Sequence, residues 1–329
     1  MRGGIDLGGT KIQAVVLDEG GEVRGAERVF TPTAGGPPAV AEAMADALHA
    51  SATAARVATE ELDGVGVGSP GIVDGRRGIV TSARNLPDWE GSFPLAGALA
   101  ESLGTRVKVE NDVQVATDAE FKLGAGRPYR SMLGVFWGTG VGGGIILKGK
   151  PWLGRGGAGE IGHMVIKQNG ARCPCGRRGC VEAYAGRKAL EERARRRVKK
   201  GEKTELFKIM EKRGRDRLTS GVWGRALEHD DKLAHKLLDQ AVEALGAGVA
   251  SALNVLDVEA VIIGGGLGLR LGEPYRQRIE DAMMPHLFAS DDPPPVHLAE
   301  LGDLGGAIGA SLLVRAKAAA RAPAAAARA

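Results

Sequence analysis

Residues Gly4 to Leu17 read GIDLGGTKIQAVVL, with apolar and β-branched residues on both sides of a Gly-Gly-Thr turn. That composition predicts a strand, a tight turn and a second strand rather than a helix of 3.6-residue period. Residues Gly134 to Leu147, GVFWGTGVGGGIIL, repeat the layout. Two such hairpins, each followed by further strands and helices, predict an internally duplicated α/β unit.

The chain has 329 residues, more than one hydrophobic core usually serves, so two domains are expected. It is 43% hydrophobic and 26% charged, the composition of a globular protein, and its 51 glycines follow no period. The formal net charge is +4, but Arg187 to Arg217 alone holds 14 basic against 6 acidic residues. The basic balance therefore belongs to one segment. Its interleaved acids and scarce aromatics predict a solvated helical face rather than a nucleic-acid patch.

No apolar run approaches the ~18 residues of a membrane span. The chain enters a strand pattern at once, without a charged-then-apolar leader. Its three cysteines are odd in number and fall between Cys173 and Cys180, which is no disulfide framework. A reducing cytoplasm is the expected setting.

Between the hairpins the pattern predicts an alanine-rich helix over Pro38 to Thr59 and a strand over Asp63 to Gly68 that ends in GSPG. A helix follows over Leu95 to Leu103, then a strand over Arg106 to Glu110 and a helix over Val113 to Lys122 opened by Asp112. Beyond the second hairpin lie a cysteine loop, helices from Arg187 to Ala252, a strand over Ala260 to Ile263 and a GGG loop. A helix after Glu273, a strand over Val296 to Leu298 and a glycine-punctuated helix complete the pattern. The alanine-rich end, 319–329, has nothing to bury and is expected to be disordered.

Five constellations carry chemistry. In Asp6-Leu7-Gly8-Gly9-Thr10-Lys11 two glycines free backbone N–H groups that can approach phosphate oxygens, supplemented by the Thr hydroxyl and the Lys ammonium. A strand follows, so this is not a Walker A loop, and an ordinary glycine hairpin is the plain alternative. Gly138-Thr139-Gly140 offers the same device again, as a nucleotide clamp requires. Gly264-Gly265-Gly266 ends a buried strand, where α/β sheets bind ligands. Glu110-Asn111-Asp112 places an amide and a carboxylate at a strand end, where Asp112 is either a base or a helix N-cap.

His163, Cys173, Cys175 and Cys180 form H-x9-C-x-C-x4-C, four good Zn²⁺ ligands in a loop that glycines allow to fold. Four protein ligands close the coordination sphere, so the zinc would be structural. The C-x-x-C spacing of redox chemistry is missing.

DLGGTK, GSPG, ENDV, GTGVGGG, GEIGH, the CxCGxxGC loop and IIGGG occur in that order over nearly the whole chain. Together they resemble the ROK family (repressors, open reading frames, kinases), and within it the bacterial glucokinases. The resemblance implies the actin-like ATPase fold, two α/β lobes of the ribonuclease H type. The small lobe would hold 1–115 with 303–318, and the large lobe 116–302 with a zinc loop at 163–180. It implies ATP with Mg²⁺ cradled by Asp6, Gly8, Gly9, Thr10, Lys11, Gly138, Thr139 and Gly140, with Gly265 and Gly266 near the adenosine. Asn85, Asn111, Asp112, Glu160, His163 and Glu182 would hold a hexose, with Asp112 as general base. Glucose is the expected substrate and a dimer or tetramer the expected assembly. N-acetylmannosamine, N-acetylglucosamine, fructose or allose kinases are the alternatives. A sugar-sensing repressor would carry a DNA-binding extension, for which the position of Asp6 leaves no room.

Overall fold

The computed structural model describes residues 1–83, Leu86 and residues 88–314; Asn85 and the 319–329 end lie outside the described residues. The chain divides into two compact units. One contains Met1–Asp112 and the described residues from Gly306 onward, the other Val113–Gly305.

The first unit opens with the expected hairpin, β1 (Arg2–Leu7) and β2 (Lys11–Leu17), continued antiparallel by β3 (Val23–Phe30). Helix α1 (Gly36–Ala54) crosses to β4 (Val65–Ser69), which pairs parallel with β1. Three short strands, β5 (Ile72–Asp74), β6 (Ile79–Thr81) and β7 (Ser92–Phe93), make a small separate sheet. Strands of two or three residues carry no alternating pattern, which is why the sequence does not announce them. Helix α2 (Leu95–Leu103) then leads to β8 (Val107–Asn111), parallel to β4, and the large sheet runs β3-β2-β1-β4-β8.

The second unit begins with α3 (Asp112–Leu123, of which Asp112 counts with the first unit), followed by the second hairpin, β9 (Met132–Trp137) and β10 (Val141–Leu147). The short β11 (Lys150–Pro151) extends it. Helices α4 (Glu182–Ala185), α5 (Arg187–Lys199), α6 (Leu206–Lys212), α7 (Ser220–Glu228) and α8 (Lys232–Leu256) precede β12 (Val261–Gly264). Helices α9 (Gly265–Leu271) and α10 (Glu273–Met283) lead to β13 (Val296–Leu298). The sheet runs β11-β10-β9-β12-β13, two antiparallel pairings followed by two parallel ones, as in the first unit. The duplication is thus one of topology.

Each unit has its own apolar core. Ile5, Leu7, Ile12, Val16, Met44, Leu48, Val65 and Val67 pack in the first, where α1 covers one face of the sheet. Leu133, Val135, Leu237, Leu245, Val261 and Ile263 pack in the second, under α8. On the other face of the first sheet lies the last helix among the described residues, α11 (Gly305–Ser311). It comes so close that a Cβ at Gly4 would stand 2.0 Å from the Ala307 carbonyl oxygen, and one at Gly66 1.7 Å from that of Ala310. Only glycine fits there.

The GGG segment expected as a loop is instead the start of α9: Gly264 ends the strand and Gly265 begins the helix at φ +80. A Cβ on Gly265 would lie 2.5 Å from the Trp137 carbonyl oxygen, so strand-to-helix passage and close approach to the hairpin are achieved by one residue. Among the described residues no helix is long and apolar enough to cross a membrane.

Candidate active site and metal centre

In the first unit the hairpin turns at Gly8–Lys11. The Gly8 N–H donates to the Lys11 carbonyl at 2.9 Å and the Thr31 hydroxyl donates to the Gly8 carbonyl at 2.6 Å, leaving Gly9 and Thr10 exposed at the tip. Two residues before the turn, Asp6 is crowded by α11, since a Cβ at Gly306 would sit 2.6 Å from its Cγ. Removal from water pushes the Asp6 carboxyl up to about 6, against the pull of the Lys11 ammonium. Among the described residues no hydrogen bond to that carboxylate is made. A desolvated carboxylate beside exposed glycine amides is suited to a hard cation that arrives with phosphate.

Strand β8 ends on Asn111 and α3 starts on Asp112, both half-buried. The Asp112 carboxylate therefore sits in the first turn of a helix. Before it, Glu110 accepts the Asn111 N–H at 3.0 Å. Trp89 is buried, donates from Nε1 to the Val80 carbonyl at 3.4 Å and stacks edge-on against Phe93, a packing role.

In the second unit the Gly138-Thr139-Gly140 loop is closed by the Gly138 N–H donating to the Gly140 carbonyl at 3.0 Å. The first amides of α5 hold it from below: Arg187 N–H donates to the Gly138 carbonyl and Lys188 N–H to the Thr139 carbonyl, each at 3.1 Å. Above it passes the start of α9, with the Gly266 amide nitrogen 3.9 Å from where a Gly138 Cβ would be. The structure therefore brings together Gly138, Thr139, Gly140, Gly265 and Gly266, which the sequence separates by more than a hundred positions.

Glu182, the first residue of α4, joins this loop to the cysteines. Its Oε2 accepts the Val141 N–H at 3.0 Å, and its Oε1 lies 4.0 Å from Cys173 Sγ. A Cβ on Gly140 would fall 2.2 Å from Oε2, so the loop glycine makes room for the carboxylate.

The ligand atoms of His163, Cys173, Cys175 and Cys180 all lie within 4.8 Å of one another. Sγ of Cys175 and Cys180 are 3.8 Å apart, and Cys173 Sγ is 3.7 Å from His163 Nδ1. A tetrahedral ion with Zn–S near 2.3 Å and Zn–N near 2.0–2.1 Å has ligand edges of about 3.5–3.8 Å. The residues fit zinc. Loop turns set this geometry: Cys173 N–H donates to the Arg177 carbonyl at 2.8 Å, and Gly176 and Gly179 take φ of +91 and +82. Burial pushes the Cys173 thiol up to about 12 and the Cys180 thiol upward as well. For Cys175 burial acts upward too, but hydrogen bonds from Arg177 and the neighbouring thiols bring it down to about 6. A Zn²⁺ bound here would displace the thiol protons and take the three sulfurs as thiolates. With Nδ1 toward the sulfurs, His163 turns Nε2 to Glu160, whose Oε2 is 3.9 Å away on a largely exposed side chain.

The basic segment holds a residue the sequence does not flag. Arg195 and Arg197 pair with Glu191 and Glu202, as a solvated helical face would have them, whereas Arg193 is half-buried and donates to the Tyr184 carbonyl and to Gln240. Arg187 instead donates from Nη2 to the Thr139 hydroxyl at 2.8 Å. Nothing in the run of lysines and arginines distinguishes it; only the hairpin's position does.

A family model described as ROK family matches residues 2–317. The chain belongs to the ROK family. A glucokinase of Thermotoga maritima is 33% identical over 320 residues, covering 95% of this chain and 96% of that protein. An N-acetylmannosamine kinase of Haemophilus influenzae is 30% identical over 317 residues, 94% of each. Among solved ROK structures, a glucokinase from Streptomyces griseus in complex with glucose and AMPPNP is 32% identical. It superposes with a TM-score of 0.82 over 95% of this chain and 99% of that one. The actin-like ATPase fold expected of a ROK protein is the fold of this chain.

Proposed function

We propose that this protein is an ATP-dependent hexose 6-phosphotransferase and that glucose is its substrate. The observation that carries the reading is the recurrence of one sheet topology with a glycine hairpin at the same place in each unit, in a chain whose relatives are named sugar kinases. The Gly8–Lys11 turn and the Gly138–Gly140 loop take the phosphates, and Gly265 and Gly266 lie toward the adenosine. Asn85, Asn111, Asp112, Glu160, His163 and Glu182 hold the hexose, since each buried sugar hydroxyl needs a polar partner to replace water.

In this mechanism the Asp112 carboxylate accepts the proton of the 6-hydroxyl as that oxygen attacks the γ-phosphorus in line, the bond from that phosphorus to the β–γ bridging oxygen breaks, and ADP leaves. General-base help of this kind gives about 10²- to 10⁴-fold, so most of the acceleration comes from positioning and charge. Asp6 is the carboxylate fitted to Mg²⁺, which when bound with ATP neutralises phosphate charge. His163, Cys173, Cys175 and Cys180 fit a structural Zn²⁺, which when bound ties the loop between Glu160 and Glu182 into one piece.

The test is a coupled assay of the purified protein with ATP and Mg²⁺ over a panel of glucose, mannose, fructose, allose, N-acetylglucosamine and N-acetylmannosamine. Glucose should give the highest kcat/KM. The 30%-identical N-acetylmannosamine kinase makes that sugar the second reading, and a preference for it would replace glucose. Turnover of no sugar on the panel would refute the kinase reading.

A further inference from the structure

We propose that Arg187 binds the phosphoryl donor: it fixes the Thr139 hydroxyl and offers its remaining N–H groups to the terminal phosphates of a nucleoside triphosphate. The proposal rests on the reading of Gly138–Gly140 as a phosphate loop.

A guanidinium has five N–H donors. Two of Arg187's are used within the second unit, Nη2 to the Thr139 hydroxyl at 2.8 Å and Nη1 to the Leu218 carbonyl at 2.9 Å. Both acceptors are neutral. Among the described residues no carboxylate bonds to this half-buried cation. The nearest candidate, Glu191, is already committed, one oxygen to Arg195 and the other to the Leu218 N–H.

The charge is held there at a cost. Burial lowers the pKa of Arg187, the guanidinium of Arg217 lowers it further, and Glu191 offsets only part. A half-buried cation beside a second cation, with no carboxylate bonded to it, is stabilised when an anion binds. Its fork points to the hydroxyl of the very loop whose amides suit phosphate, and Arg binds phosphate oxygens bidentately where Lys cannot. The backbone of the same residue braces that loop through the Gly138 carbonyl. Arg187 therefore ties loop position and donor charge to one residue.

The test is isothermal titration of the full-length protein with inorganic tripolyphosphate and with ATP, alongside steady-state kinetics, for wild type, Arg187→Ala and Arg187→Lys. Loss of one charge-assisted contact predicts a Kd for tripolyphosphate and a KM for ATP ~10- to 100-fold higher in Arg187→Ala. The hexose KM should change by less than ~3-fold, and Arg187→Lys should recover part of the loss through charge alone. Thermal melting of each variant separates this from misfolding, because a fold defect would raise both KM values and would not be relieved by lysine. Equal tripolyphosphate and ATP affinity in wild type and Arg187→Ala would overturn the proposal, as would a wild type that binds neither polyanion. A wild type that binds both, loses them on Arg187→Ala and phosphorylates no hexose would uphold the donor site while removing the sugar-kinase reading.

Discussion

The carboxylate of Glu182 accepts the backbone N–H of Val141 at 3.0 Å while its second oxygen stands 4.0 Å from the sulfur of Cys173. One side chain thereby connects the loop proposed to hold phosphate with the cluster fitted to a metal. If that link anchors the loop, Glu182→Ala should lower unfolding stability by about 1–3 kcal/mol, since a half-buried N–H loses its acceptor. Glu182→Gln, which keeps an oxygen for Val141, should stay within about 1 kcal/mol of wild type. Denaturant titration of the two variants decides, and equal losses would show that the hydrogen bond to Val141 does not matter.

Metal removal should act on the same wall. Elemental analysis should find one zinc per chain, and a strong chelator or Cys175→Ser should lower the thermal midpoint and weaken hexose binding together, because folding and metal binding are coupled. A metal-free protein with unchanged midpoint and hexose affinity would reduce the cluster to a surface clip.

Asp112→Asn removes a base but keeps shape and hydrogen bonding. Hexose Kd should stay within ~5-fold of wild type while kcat falls by ~10² or more. Near-normal turnover would take Asp112 out of the reaction.

Asp6 should leave a signature in the pH dependence of stability. Its folded carboxyl titrates near 6 against an ordinary 3.8, so the folded state holds the proton more tightly than the unfolded one. The contribution is neutral to stability below the ordinary value, becomes unfavourable as pH rises through the interval, and reaches its full cost above 6. At 1.36 kcal/mol per pH unit that cost is on the order of 3 kcal/mol. Asp6→Asn should therefore melt higher than wild type at pH 7.5 and about equally at pH 3.5, although it should lose activity. A midpoint difference that does not vary with pH would contradict the burial argument.

The close approach of α11 is testable by adding a single carbon. Gly66→Ala would put a Cβ 1.7 Å from the Ala310 carbonyl oxygen, a backbone atom that cannot swing aside. A loss of about 3 kcal/mol or more is expected, read as a collapse in midpoint or soluble yield. Gly97, which has nothing within 4 Å of such a carbon, should tolerate alanine with little change.

Much of this architecture is legible in the chain because the decisive signals are local. Leu7 to Ile12 states a hairpin in six residues, and the spacing of Cys173, Cys175 and Cys180 states a ligand set in eight. Helix α2 begins and ends where its periodicity puts it. What is not legible depends on partners distant in sequence. Glu182 reads as another acid until Val141 comes to it, and Arg187 as another base in a basic run until Thr139 does. Gly265 opens a helix because the Trp137 backbone lies against it, a fact absent from the string GGG. The separate sheet of β5, β6 and β7 is invisible because its strands are too short to show a period.

The seating of α11 against Gly4 and Gly66 also sets an order of events during synthesis. The first unit contains the start of the chain, yet one face of its sheet stays bare until Gly306 and its neighbours have left the ribosome, about 190 residues after Asp112. At ~5–20 residues per second that interval is about 10–40 s. For that time the apolar strands β1 and β4 wait for their cover, while the second unit, contiguous from Val113 to Gly305, is translated whole and needs nothing made later. The half of the protein that is made first is thus the half that can be finished last.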